Sequence, residues 1–155
     1  MGRQCNQFAA SLSRIGPNAK PAIPLLLELL DRQGVNLFFL AGTLESVGAG
    51  KEAQEQVLLR LLQGDNAVFR VQAASRLLGF EPGNEAAMAA LIDVIRSRSY
   101  GAVSAIHELG RLGPAAEAAI PVLRQTKDSK ENGQLADALR TAATEVLAKI
   151  EVPPK

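Results

Sequence analysis

His107 and Glu108 stand side by side, and Ser104 lies one helical turn before them. An imidazole beside a carboxylate becomes a metal site only if further ligands converge on it, and a hydroxyl near an imidazole becomes a nucleophile only with an oxyanion hole and a strained, exposed setting. Neither condition is met by the residues available. His107 is the single histidine and Cys5 the single cysteine, so a metal here would have one imidazole and no cysteine pair to complete its shell. Ser104, His107 and Glu108 sit on one predicted helix, and spacing along one helix does not make a triad. No Gly-rich phosphate loop, His-rich metal motif or nucleophile elbow occurs elsewhere. The expectation is a surface histidine, no catalytic residue, no cofactor and no metal.

The elements that carry these residues follow from composition and periodicity. The chain has 155 residues, enough for one domain that buries roughly two thirds of its unfolded surface. Apolar residues make up 47% but only five Phe and one Tyr are aromatic, so the apolar content is mostly Ala and Leu, which favours helices. Seventeen Lys and Arg against sixteen Asp and Glu leave no global field to steer a polyanion, which speaks against nucleic acid. The lone Cys5 excludes an intramolecular disulfide, and a reducing cytoplasm is expected. The longest apolar runs, such as Ala22 to Leu27 with Pro24 inside, fall far short of the ~20 residues of a membrane helix. Gly2 with a nearby Cys faintly resembles an acylated N-terminus, but Asn6 stands where myristoylation prefers Ser or Thr, and an ordinary first helix is expected.

Comparing the chain with itself supplies the organisation. Residues 14–26 (RIGPNAKPAIPLL) align with residues 111–123 (RLGPAAEAAIPVL) at eight identical positions, 97 residues apart. That separation divides into three steps of about 32 residues, the period of a helical repeat. Apolar anchors closing each first helix fall at Ile15, Val47, Leu78, Leu112 and Ile150, spaced by 32, 31, 34 and 38 residues. Within a unit Ala19, Ile23, Leu26 and Leu30 recur at helical steps, and Phe8, Leu12 and Ile15 do so upstream. The units read as helix pairs 3–15 with 18–31, 34–47 with 51–63, 66–79 with 84–97, 100–112 with 115–127, and a closing helix near 133–150. Gly16-Pro17 and Gly113-Pro114 place a helix-ending glycine beside a proline suited to start the next segment. Gly64-Asp65 reads as a stop followed by an N-cap. Pro21, Pro24 and Pro121 require the second helix of units one and four to begin late.

Residues 65–79 (DNAVFRVQAASRLLG) resemble the first helix of a HEAT-like repeat, with its Asp, Val-Arg, Ala-Ala and Leu-Gly, although Phe69 is inserted between Val68 and Arg70. Residues 105–114 and 142–150 are similar to the end of the same helix. The second unit departs from the pattern, because Phe38 and Phe39 occupy the place of the family's Arg and Gly42 replaces one of the paired Ala residues. Adjacent helical residues point about 100° apart, so Phe38 and Phe39 cannot share one narrow core stripe. The resemblance implies an all-α fold, an α-α superhelix (right-handed solenoid) of about four and a half helical hairpins in a single domain over 1–150, with units near 1–31, 34–64, 65–98, 99–129 and 132–150 and a tail at 151–155. Some HEAT-like proteins, the deoxyhypusine hydroxylases, hold a di-iron centre with several His-Glu pairs. Here one histidine stands alone, and it follows the small residues instead of preceding them. The HEAT-like DNA glycosylases grip DNA with a basic concave face and aromatic residues, and this chain offers no Trp and one Tyr, Tyr100.

The implied function is protein binding through a concave face lined by the second helices and presenting Glu28, Glu55, Asp93, Arg96, Arg124 and Lys127. Arg60, Arg96, Arg98, Arg124 and Lys127 gather at the ends of the second helices, with Glu52, Glu55, Glu85 and Glu117 near their starts, a polarity that complements the helix dipole. The expected partner is another protein rather than nucleic acid or a membrane, and the expected state a monomer or weak homodimer. Two other readings stand beside this one: an enzyme-accessory or lyase-type, metal-dependent HEAT-like protein, and a weak nucleic-acid or polyanion binder.

Overall fold

The computed structural model describes residues 2–32 and 34–151. Among them every regular element is helical, and none of the helices is long and apolar enough to cross a membrane. Of the tail expected at 151–155, only Glu151 is among the described residues. The chain divides into two compact units, Met1–Gln63 and Gly64–Lys155.

Unit 1 holds α1 (Gly2–Ile15), α2 (Ile23–Leu27), α3 (Leu37–Ser46) and α4 (Lys51–Leu62). A 3₁₀ segment, Gly16–Ala22, joins α1 to α2, and a second one, Glu28–Asp31, closes α2. The core of the unit consists of Leu26, Leu40, Leu44, Val47, Val57 and Leu58, all at most 2% exposed. Asn36 caps α3 by accepting from the Phe39 amide at 3.1 Å, and its own amide donates to Asn6 Oδ1 at 3.1 Å, which fixes the start of α3 against α1. Farther along the same seam the buried Thr43 hydroxyl donates within α3 to the Phe39 carbonyl at 3.0 Å, and the Ser13 and Ser46 hydroxyls bond across the two helices at 3.1 Å.

Unit 2 holds α5 (Ala67–Phe80), α6 (Glu85–Arg96), α7 (Ala102–Leu112), a 3₁₀ segment (Gly113–Ala119), α8 (Ile120–Lys127) and α9 (Gln134–Ile150). Short turns make successive helices antiparallel neighbours. Small residues set their spacing: Ala73, Ala74, Ala105, Ala142 and Ala143 are at most 4% exposed. A Cβ built on Gly110 would lie 2.8 Å from Val146 Cγ2, so α7 and α9 approach as closely as glycine allows. Gly64-Asp65 does not supply the cap of α5. Asn66 does, accepting from the Val68 and Phe69 amides at 3.0 and 3.2 Å, because its side chain stands immediately before the first helical residue. Asn84 caps α6 in the same manner through the Ala87 amide at 3.0 Å.

The prolines behave as the spacing requires. Pro24 and Pro121 occupy the first turn of α2 and α8, where a missing N–H costs nothing. Having no N–H, each leaves the carbonyl four residues back without its α-helical donor. The amide of the preceding isoleucine takes that carbonyl instead, Ile23 to Lys20 and Ile120 to Glu117, and this i to i−3 bond makes the incoming segment 3₁₀. Of the five expected anchors Val47, Leu78 and Ile150 are buried and Leu112 is half-buried, but Ile15 is 55% exposed. Ile15 shares an exposed side of α1 with Phe8 and Ser11.

Candidate functional site

Of the residues that first suggested chemistry, Glu108 has its partners elsewhere. Ser104 and His107 are exposed on α7, whereas the Glu108 carboxylate turns toward α5, where the Ser75 hydroxyl donates to it at 2.8 Å. Arg111 adds a second contact to Glu108 at 3.1 Å from the next turn of α7. With both partners supplied elsewhere, Glu108 does not orient the His107 imidazole. Among the described residues no group of three or more His, Cys, Asp and Glu side chains is arranged to hold a metal ion.

The six residues expected on the second-helix face are placed as follows. In unit 1, Glu28 is exposed where α2 gives way to the second 3₁₀ segment, and Glu55 is half-buried on α4 with Lys51 at 3.4 Å. In unit 2, Asp93 and Arg96 share the last turn of α6 at 3.7 Å, and Arg70 of α5 reaches Asp93 at 3.8 Å. Arg124 of α8 donates to Glu151 at 2.8 Å across the end of α9, and Lys127 is exposed at the end of α8. Asp93 and Arg96 emerge opposite the buried Leu91, Val94 and Ile95 of α6, and Arg124 opposite the buried Val122, Leu123 and Thr126 of α8. Between the two helices lies a cleft of about 270 Å³ lined by Ile95, Arg96, Arg98, Val122, Gln125 and Thr126. Exposed ion pairs of this kind are worth at most about 1 kcal/mol each, so the charges can exchange partners at little cost.

One arginine that periodicity assigns to a helix end does something else. Arg98 is the only non-glycine residue with positive φ among those described, at 48° in the turn between α6 and α7. There its guanidinium pairs with Glu131 and donates to Ser129 Oγ at 3.1 Å. Arg140 of α9 holds the same turn from the other side, donating to the Ser129 carbonyl at 3.1 Å and pairing with Asp137. The two arginines therefore clamp the turn between α8 and α9, a role that gathering Arg98 with the other helix-end cations did not anticipate. The signal in the sequence is weak, since Ser97-Arg98-Ser99-Tyr100-Gly101 offers no glycine where the left-handed residue falls. Beside Arg98 the Tyr100 ring is 91% exposed. In unit 1 the paired phenylalanines divide as the 100° rule demands, Phe38 half-buried and Phe39 37% exposed.

Comparison of the chain with protein-family models, with curated proteins and with solved structures gives no match.

Proposed function

We propose that this chain is a HEAT-like α-α superhelix that binds another protein through the face presented by its second helices, with Glu28, Glu55, Asp93, Arg96, Arg124 and Lys127 as the polar contacts. The reading rests on one observation above the others: α6 and α8 bury an apolar stripe and leave outside it charges held in surface pairs, Asp93 with Arg96 and with the part-buried Arg70, and Arg124 with Glu151. Charges in such pairs can be re-paired by an incoming surface without leaving a buried ion behind. The repeated segment at residues 14–26 and 111–123 adds support for a repeat architecture, in which each hairpin needs its neighbours to cover its apolar side. In this reading the protein is a scaffold without a catalytic centre or cofactor, working as a monomer or weak homodimer in the cytoplasm.

The experiment is charge reversal. A partner captured by cross-linking and identified by mass spectrometry is expected to bind the Arg96→Glu, Arg124→Glu variant at least tenfold more weakly while the far-ultraviolet circular dichroism stays the same. Undiminished binding by a variant with native helicity removes this face as the contact.

A further inference from the structure

We propose that the exposed apolar side chains Phe8, Ile15 and Leu25 of unit 1, with Arg14 and Lys20 as the cations, dock an amphipathic α-helix of another protein whose apolar seam is flanked by carboxylates. Leu25 lies one turn before Glu28, so this site adjoins the proposed second-helix face, but it is carried by unit 1 alone and its test does not involve Arg96 or Arg124.

The argument comes from the repeated segment, because unit 2 displays what covers the matching positions. With the offset of 97 residues, Ile15 and Leu25 correspond to Leu112 and Val122 inside the repeated segments, and the same offset carried back along α1 and α7 sets Phe8 and Ser11 against Ala105 and Glu108. In unit 2 three of the four meet the helix pair α5 and α6, and the fourth, Ala105, is buried. Glu108 receives the Ser75 hydroxyl of α5, Leu112 lines a cleft with Leu78 of α5, Val122 faces Ile95 of α6 across another, and Ala105 is fully buried. Helices are thus the surface this segment is shaped to receive. In unit 1 the same positions are open: Phe8 is 40%, Ile15 55% and Leu25 48% exposed. Phe8, Ser11 and Ile15 lie at steps of three and four, one face of α1.

Charge selects the kind of helix. Arg14 and Lys20 are the only charged side chains between residues 4 and 27, both are exposed, and neither has an ion pair among the described residues. Arg111, the counterpart of Arg14, pairs with Glu108 one turn earlier, but unit 1 has Ser11 at that place. The carboxylate that unit 2 supplies internally must therefore come from the partner. A second copy of this chain offering the same face would set Arg14 and Lys20 against themselves, which opposes association.

The test uses the full ¹⁵N-labelled chain and two synthetic 18-residue peptides with the same Leu seam, one flanked by Glu and one by Lys. The Glu-flanked peptide is expected to shift amides of α1 and of Ile23–Leu27 with a submillimolar Kd, to lose at least tenfold in affinity on Leu25→Glu, and to weaken several-fold between 50 and 300 mM NaCl. The Lys-flanked peptide is expected to bind at least tenfold more weakly. Leu25 is half exposed, so the variant should keep its helicity; Ile15→Gln provides the same readout if it does not. Equal affinity for the two peptides, no shifts, or shifts confined to other helices would overturn the proposal. So would sedimentation with phosphatidylcholine–phosphatidylserine vesicles, or a dimer in analytical ultracentrifugation, that either variant abolishes.

Discussion

The segments at residues 14–26 and 111–123 are one piece of sequence folded twice, and they agree wherever local forces decide. Both turn at a glycine with positive φ, 69° at Gly16 and 57° at Gly113. Both run through seven residues of 3₁₀ turns, kinked at Ala116 in the second copy, into an α-helix that opens on isoleucine, with φ and ψ of −53° and −47° at Ile23 and −51° and −45° at Ile120. Both bury the same alanine and the same leucine, Ala19 with Ala116 and Leu26 with Leu123. They part where neighbours decide. Leu25 is 48% exposed but Val122 only 5%, and α2 ends after five residues in a 3₁₀ turn where α8 continues for eight. In unit 2 the segment lies between α6 and α9, and that second contact extends the helix and closes the face. Shared sequence thus carries the turn, and packing carries the burial.

Three pairs of substitutions sharpen this contrast or break it. Aspartate at Val122 would bury a charge and is expected to cost about 3 kcal/mol or more even with Arg96 and Arg98 lining the same cleft, whereas Leu25→Asp should cost about 1 kcal/mol or less. Urea midpoints followed at 222 nm compare the two, and similar losses would erase the distinction between a covered and an open face. Leu26→Ala and Leu123→Ala come next, each about 3 kcal/mol, because both side chains are fully buried and truncation leaves a cavity in either unit. Residue-resolved hydrogen exchange assigns each loss to its own unit. A cost at Leu26 far below that at Leu123 means that the first copy is not packed as its exposure implies. Smallest are Gly16→Ala and Gly113→Ala, each expected to cost about 1–2 kcal/mol, since a Cβ is strained at positive φ whatever the room around it. Thermal melts of the two variants should agree closely, and a harmless Gly113→Ala would show that the turn is held by contacts rather than by glycine.

Much of this was legible from residue types alone. Gly-Pro pairs and helical spacing located most helices to within about three residues, while α2 and α8 open five residues after the starts that spacing gave, at Ile23 and Ile120, a late start that the prolines foretold. Ile15 shows where such reasoning stops. It has the spacing of a core anchor but is exposed, since spacing says which side of a helix is apolar and not whether anything lies over it. Asp65 and Asn66 are both competent caps, and the choice between them turned on a single residue of register. Glu108 adjoins His107 in sequence yet serves Ser75, because adjacent residues on a helix point about 100° apart.

Composition, period and punctuation by themselves determined that the chain is helical, where its turns fall and how Gly16 and Gly113 release the backbone, for all of these follow from interactions between residues close in the chain. Which apolar side chains are covered, which arginines become clamps and which stay at the surface was decided only in three dimensions. Burial is a property of what lies beside a helix, and in this protein the neighbour that covers Val122, α6, and the turn that engages Arg98 come from parts of the chain some thirty residues away.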